Sequence, residues 1–298
     1  MNGRSFVWLE ITGRCQLACT HCYADSGAHG TNGTMTDDDW EAAIESAVGL
    51  GTSMVQFIGG EPTLHPALPG LIDHALRSGL EVEIFSNLVH VSAPLWEVFA
   101  QSRVRLATSY YSDRADQHET ITRRRGSYAR TKANIAEAVR RSIPIRVGVI
   151  DVQDRQGVGQ ARTELTELGV DEVRVDRLRQ VGRGVRDQHP DPAQLCGHCG
   201  HDKIAISADG SVWPCVFSRW LPVGNVRQQA LAEIVRGPRM STTVTALDRH
   251  FGSRREPGEH DLCDPLCGPN CSPACNPSCW PTGAGPCGPK GGCQPNYD

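Results

Sequence analysis

Short apolar runs rich in β-branched and aromatic residues recur along the first 180 positions, separated by longer stretches of helical period. Phe6–Thr12 reads as a buried strand, and further strands are expected at 54–58, 81–86, 103–109, 144–151 and 171–176. Between them a helix is expected from Thr36, whose following Asp37, Asp38 and Asp39 suit a helix start, to about 49 or 51. Others are expected near 66–78, 94–101, 127–141 and 159–169. Six β-α repeats with continuously apolar strands imply a parallel sheet covered by helices, able to curl into a partial barrel. Such folds gather their chemistry at the carboxyl ends of the strands. There lie the loop Cys15-Gln-Leu-Ala-Cys19-Thr-His-Cys22-Tyr23, then Gly59-Gly60-Glu61-Pro62, Ser86-Asn87 and Ser109.

The pattern changes after Gly182-Arg183-Gly184. Residues 183–195 are polar, contain Pro190 and Pro192, and read as a linker. Beyond it Lys203–Pro214 has the pattern of a hairpin turning at Ala208-Asp209-Gly210-Ser211, with a short helix expected near 229–236. From Glu256 onward Pro, Gly and Cys dominate. Cys263, Cys267, Cys271, Cys275 and Cys279 recur every four residues with prolines in register, a period that suits a helix but a composition that forbids one. With almost nothing apolar to bury, this tail is expected to take its order from metal. The expected division is a barrel over 1–182, a linker over 183–195 and a cysteine-rich region over 196–298.

Cysteine usage changes the picture most. Of 13 cysteines, three lie by position 22, none between 23 and 195, and ten from Cys196 to Cys293. An odd count in a long chain without an apolar leader argues for metal in a reducing, cytoplasmic setting over disulfides. A net charge of −4 and the absence of a basic, aromatic stripe give nucleic acid no support. No apolar run approaches membrane-spanning length. Three thiols spaced C-x3-C-x2-C can take three corners of a cubane iron–sulfur cluster and leave the fourth iron open to a small molecule. A zinc loop is the alternative reading of the same spacing.

The cysteine loop after the first strand, Tyr23 after its last cysteine, and Gly59-Gly60-Glu61-Pro62 after the second strand together resemble the radical S-adenosylmethionine (SAM) superfamily. The resemblance covers residues 5–180 and implies an α/β, partial (β/α)6 TIM-like barrel. It further implies that Cys15, Cys19 and Cys22 hold a [4Fe–4S] cluster whose open iron binds SAM. One electron, from a flavodoxin- or ferredoxin-type donor, would then split SAM into methionine and a 5′-deoxyadenosyl radical. By the same resemblance Gly59, Gly60, Glu61 and Pro62 would meet the SAM methionine, Ser86 and Asn87 its ribose, Ser109 and Arg123 its carboxylate, and Val149 its adenine. Taken as bare residues, these are also consistent with strand-end turns, a solvated arginine run and plain strand core.

Cys199, Gly210 and Cys215, with Cys196 also satisfying the first spacing, match the opening of SPASM and twitch extensions, which carry auxiliary clusters. The remainder departs from that pattern: repeated C-x3-C, then Cys287 and Cys293. One or two auxiliary [4Fe–4S] clusters are compatible with ten thiols, as is a zinc-bound tail. Extensions of this kind accompany enzymes that alter peptides, so the leading expectation is maturation of a ribosomal natural product, by oxidation or epimerisation. With the first strand beginning by residue 6, a separate leader-peptide-binding protein is expected to present such a peptide. A small-molecule substrate such as an aminocyclitol or sugar, acted on by a dehydrogenase or epimerase, is the second reading. A non-enzymatic iron–sulfur or zinc protein is the third.

Overall fold

All seven residues of β1 (Phe6–Thr12) are buried, because the strand lies mid-sheet with packing on both faces. Val7, Leu9 and Ile11 point into the layer of helices, whereas Phe6 and Trp8 point into an inner cluster. The computed structural model describes residues 5–185 and 191–252.

After β1 come α1 (Asp37–Gly49), β2 (Met54–Gly59), α2 (Leu68–Arg77), β3 (Glu81–Phe85) and α3 (Ala93–Phe99). They are followed by β4 (Val104–Tyr110), α4 (Ala115–Thr122), α5 (Ser127–Arg140), β5 (Ile145–Asp151), α6 (Val158–Glu167) and β6 (Glu172–Arg177). Beyond the 183–195 segment lie β7 (Lys203–Ser207), β8 (Ser211–Trp213), β9 (Gly224–Asn225), α7 (Leu231–Arg236) and α8 (Pro238–Gly252). The expected strands and long helices are present with ends shifted by a residue or two. The acidic start of α1 is a capping box: the Thr36 hydroxyl accepts from Asp39 N at 3.1 Å, and the Asp39 carboxylate accepts from Thr36 N at 2.9 Å.

The described strands form one sheet in the order β6-β5-β4-β3-β2-β1-β7-β8-β9. Strands β1 to β6 run parallel, giving an open α/β sheet of the partial-barrel kind. Two elements depart from expectation. The hairpin begins with a strand that pairs parallel to β1, Phe6 opposite Lys203, so the sheet runs unbroken past the expected linker. Helix α4 escapes a periodicity reading because most of Ala115–Thr122 is polar, and it buries only His118, Ile121 and Thr122. The tail after 252, with Cys263, Cys267, Cys271, Cys275, Cys279, Cys287 and Cys293, lies outside the described residues.

Inside the sheet, one row of residues forms a charged plug. Glu83 accepts from Arg105 Nε at 2.7 Å and from Arg146 Nε and Nη2 at 2.8 and 2.7 Å, and also meets Gln56. Burial would push its carboxyl up, but the Arg146 and Arg105 guanidiniums outweigh that and hold it below the usual range. The mouth above this plug is where the strand-end loops collect. No described helix is long and apolar enough to cross a membrane.

Candidate active site

The cysteine loop leaves β1 through Gly13 and Arg14 and is pinned by backbone from three directions. Cys15 N donates to Gly27 O at 2.9 Å, while Ala18 N and Thr20 N donate to Thr122 O and Ile121 O, at 3.2 and 2.9 Å, at the end of α4. From the end of β2, Gly60 N donates to Thr12 O at 2.6 Å and Glu61 N to Arg14 O at 2.8 Å. That approach requires glycine. A Cβ on Gly59, at φ +130, would sit 2.3 Å from Thr12 O, and one on Gly60 2.2 Å from Arg14 O.

Amide groups turn toward the sulfurs. Cys15 Sγ accepts from Leu17 N at 3.4 Å and from Asn87 Nδ2 at 3.6 Å, and Cys22 Sγ accepts from Ser26 N at 3.4 Å. Tyr111, fully buried on β4's extension, bonds to the Cys19 thiol. Burial first, and then the charge of Glu61, pushes the Cys15 thiol up to about 12. Burial followed by the other two cysteines does the same to Cys19, also to about 12. These thiols are therefore protonated until a metal centre takes the protons' place. Among the described residues no group of three His, Cys, Asp or Glu side chains closes on a point suited to a single metal ion. A cubane spreads its ligands over separate corners, which suits thiols that sense one another across a loop.

Glu61 is wholly buried and holds strand ends together. Its carboxylate accepts from Thr63 N and Oγ1 at 3.1 and 2.7 Å, Ser86 Oγ at 2.7 Å and Asn87 N at 2.8 Å. Burial raises its carboxyl, and those four donors offset part of the rise. The Ser86 hydroxyl thus faces Glu61, and Pro62 opens a single 3-10 turn, Pro62–Leu64. Asn87 is knitted to the cysteine loop through Gln16, by bonds of 3.1 and 3.3 Å. Ser109 bonds with Tyr111, beside Cys19. Arg123 is exposed at φ 53, directly after the α4 carbonyls that grip the loop. Val149 differs from these: it packs in the cluster between sheet and helices with Val147, and Gly148 and Ile150 take the opposite face of β5.

Tyr23 turns to the other side of the mouth. Its ring meets Phe217 edge-on at 5.1 Å, and its hydroxyl faces the Glu10 carboxylate, which pairs with Arg219. Arg219 in turn covers the Trp213 ring at 4.5 Å. This cluster separates the first cysteine loop from the second set, where Cys199 bonds with both Cys196 and Cys215. Cys215 N donates to Ser218 Oγ at 2.9 Å, and Gly210 turns the hairpin at φ +85. A charged residue within an otherwise apolar first strand was the signal that could have singled out Glu10; the adjacent Tyr110-Tyr111 pair at the end of β4 was the signal for Tyr111.

The chain matches the radical SAM superfamily over residues 9–157, half its length, and an iron–sulfur cluster-binding domain, SPASM, over residues 196–272. It belongs to the radical SAM superfamily. Membership brings a [4Fe–4S] cluster and SAM, and the SPASM domain brings auxiliary iron–sulfur clusters. The first cysteine loop fits such a cluster: three thiols on one loop, with amide donors aimed at two of their sulfurs.

Curated relatives include a PqqA peptide cyclase of Xanthomonas campestris, 26% identical over 61% of this chain and 49% of the relative. The subtilosin biosynthesis protein AlbA of Bacillus subtilis is 22% identical over 77% of this chain and 59% of AlbA. The chain thus spans about half the length of the curated relatives it matches. Streptococcus suis SuiB bound to SAM superposes with a TM-score of 0.68 at 14% identity, covering 82% of this chain and 68% of SuiB. The structure of anSMEcpe with SAM and a peptide gives 0.65 at 13%, covering 88% and 87%. At those identities the likeness is one of fold.

Proposed function

We propose that this chain cleaves SAM at a cluster held by Cys15, Cys19 and Cys22 and uses the radical to modify a peptide, by oxidation or epimerisation, during natural-product maturation. The observation that carries the reading is the cysteine loop, braced by the Gly59-Gly60-Glu61 turn, with a second cysteine pair, Cys199 and Cys215, packed in the inner cluster beside Phe6 and Trp8. That PqqA peptide cyclase and AlbA are its relatives supports a peptide as substrate.

Cys15, Cys19 and Cys22 would hold a cluster that, once reduced, would supply the electron for splitting the carbon–sulfur bond of SAM. The chain's own residues do the rest. The Gly59–Pro62 turn and the Asn87 amide shape the floor beside Cys15, where the methionine and ribose ends of SAM would lie. Ser109, bonded to Tyr111 at the end of β4, and Arg123, directly after the α4 carbonyls that hold Ala18 and Thr20, would meet the SAM carboxylate. Trp8, Ile58, Phe85, Trp213 and Phe217 form an apolar wall that keeps water from the space between the two cysteine sets. Cys196, Cys199 and Cys215, with thiols from the tail, would hold the auxiliary cluster that accepts an electron or anchors the peptide.

The test is anaerobic. The reconstituted full chain, given dithionite and SAM, is expected to form 5′-deoxyadenosine, and candidate peptides turned over in deuterated buffer report the modification by mass. A gain of one mass unit marks epimerisation, and a loss of two marks crosslinking or dehydrogenation. Absence of 5′-deoxyadenosine from a cluster-loaded preparation would sink the proposal. Neighbouring genes for a short peptide and a leader-binding protein would support it.

A further inference from the structure

Gly182-Arg183-Gly184 has the composition of a linker's start, yet it lies flat against the cysteine loop. Arg183 N donates to Cys22 O at 3.0 Å. Its guanidinium donates from Nε to Cys19 O at 2.9 Å, from Nη2 to Ser26 O at 2.7 Å, and from Nη1 to the Asp25 carboxylate at 2.8 Å. One side chain therefore ties together the two halves of the loop that contain Cys19 and Cys22. Only a planar fork with several donors can do this; a lysine ammonium is a single point.

The neighbours are shaped for that contact. A Cβ on Gly182, at φ +58, would lie 2.3 Å from Tyr23 O, and one on Gly184 would meet Arg179 O at 2.5 Å. Asp25 adopts φ 52, the left-handed conformation that among non-glycine residues a short polar side chain such as Asp adopts most readily. In that conformation Asp25 N reaches Cys22 O at 3.2 Å and Ser26 N reaches Cys22 Sγ at 3.4 Å. The left-handed turn, the sulfur's amide donor and the arginine clamp are one unit.

Charge points the same way. Asp25 is 72% exposed and its charge is screened by water, whereas Arg183 is 29% exposed and turned to the loop. The field at the sulfurs from this pair is therefore positive. Adding an electron to a cluster makes it more negative, so a cation close by favours the reduced form.

We propose that Arg183 is a positioning residue of the SAM-cleaving centre: it clamps the loop backbone at Cys19, Cys22 and Ser26 and raises the reduction potential of the cluster bound there. The proposal rests on Cys15, Cys19 and Cys22 holding that cluster.

Full-length R183Q, R183K and D25N are reconstituted anaerobically and compared with the native chain. Bound iron is counted, and reduction is followed by electron paramagnetic resonance. The signal belonging to this loop is the one missing from the Cys15→Ala/Cys19→Ala/Cys22→Ala variant. R183Q is expected to hold less iron on the loop and to reduce at a lower potential. R183K keeps the charge and loses the fork, so iron falls while the potential of what remains stays near native. D25N removes a partly opposing charge on an exposed side chain, and its potential is expected to rise. A native potential in R183Q overturns the proposal; if R183Q does not fold, native iron on the loop in R183K or a lowered potential in D25N does. Native 5′-deoxyadenosine formation alongside an unchanged R183Q potential would refute the Arg183 role alone, whereas a native chain that makes none refutes the functional reading beneath it.

Discussion

The two cysteine sites of this chain are held by different physics. The amino-terminal loop is fixed by backbone: the ends of β2 and α4 and the Arg183 turn each donate to or accept from its main chain. Cys199 and Cys215 rest mainly on side chains, with a backbone bond from Gly200 N to Pro214 O at 2.9 Å joining their two loops. Cys199 and Cys215 belong to an apolar cluster with Trp8, Trp213 and Phe217, and α8 covers their loop through Met240 and Val244. Backbone bracing sets the position of sulfurs to a fraction of an ångström, as a centre that must meet a reacting bond requires. Side-chain packing tolerates more movement, which suits a centre that passes an electron or touches a substrate.

The largest test separates the sites outright. Replacing Cys15, Cys19 and Cys22 together by alanine is expected to abolish 5′-deoxyadenosine formation while iron remains in the carboxy-terminal region. Iron counting by site-specific spectroscopy checks this. Loss of all iron in the triple variant would mean that the two sites are one cooperative assembly, and the contrast would fail.

Next comes a pair of glycines. A methyl on Gly60 would meet Arg14 C=O at 2.2 Å, backbone that cannot move without displacing Cys15. A methyl on Gly200 would meet Val244 Cγ2 at 2.5 Å, the end of a side chain that can give. Gly60→Ala is therefore expected to strip iron from the first loop and end SAM cleavage. Gly200→Ala, at φ +76, is expected to cost about 1–3 kcal/mol of strain and leave cleavage in place. Equal losses in the two variants would remove the distinction.

A smaller and more selective effect is expected at the second site. Cys199→Ala or Cys215→Ala should leave SAM cleavage near native and reduce product formed per 5′-deoxyadenosine. Product counted by mass spectrometry against 5′-deoxyadenosine gives that ratio. An unchanged ratio would take these residues out of the chemistry.

How far each region could be read from sequence follows the same divide. Strand order, the cysteine loop and the Gly59-Gly60 turn were legible because periodicity, thiol spacing and paired glycines are local signals. Four features were not. Arg183 looked like a linker residue, since nothing local says that a polar turn folds back over 160 positions to Cys19. The bond from Ser86 to Glu61 joins two strand ends and depends on sheet register. Val149 and its neighbours alternate between faces, and which face turns to the helices is decided by packing. The parallel pairing of β7 with β1 crosses the whole chain.

An effect on stability rather than on cleavage tests whether the first loop's bracing reaches past the loop itself. His118, on α4, is enclosed by Tyr110, Tyr111 and Tyr128, with ring centroids 5.0, 5.1 and 5.8 Å away. Burial pulls its pKa down from 6.5 to about 4, more than the nearby Glu164 charge restores. Between those values the unfolded chain binds a proton that the folded chain refuses, so stability falls as the pH drops from 6.5 toward 4. The full effect is about 3 kcal/mol. His118→Gln removes the titration, and its denaturation midpoint should depend less on pH across that window than the native midpoint does. If acid loosens α4, the carbonyls of Ile121 and Thr122 that grip Ala18 and Thr20 go with it, and the first loop should lose iron before the second. Identical pH slopes for the two proteins, or iron lost first from the second site, would show that α4 does not transmit its state to the loop.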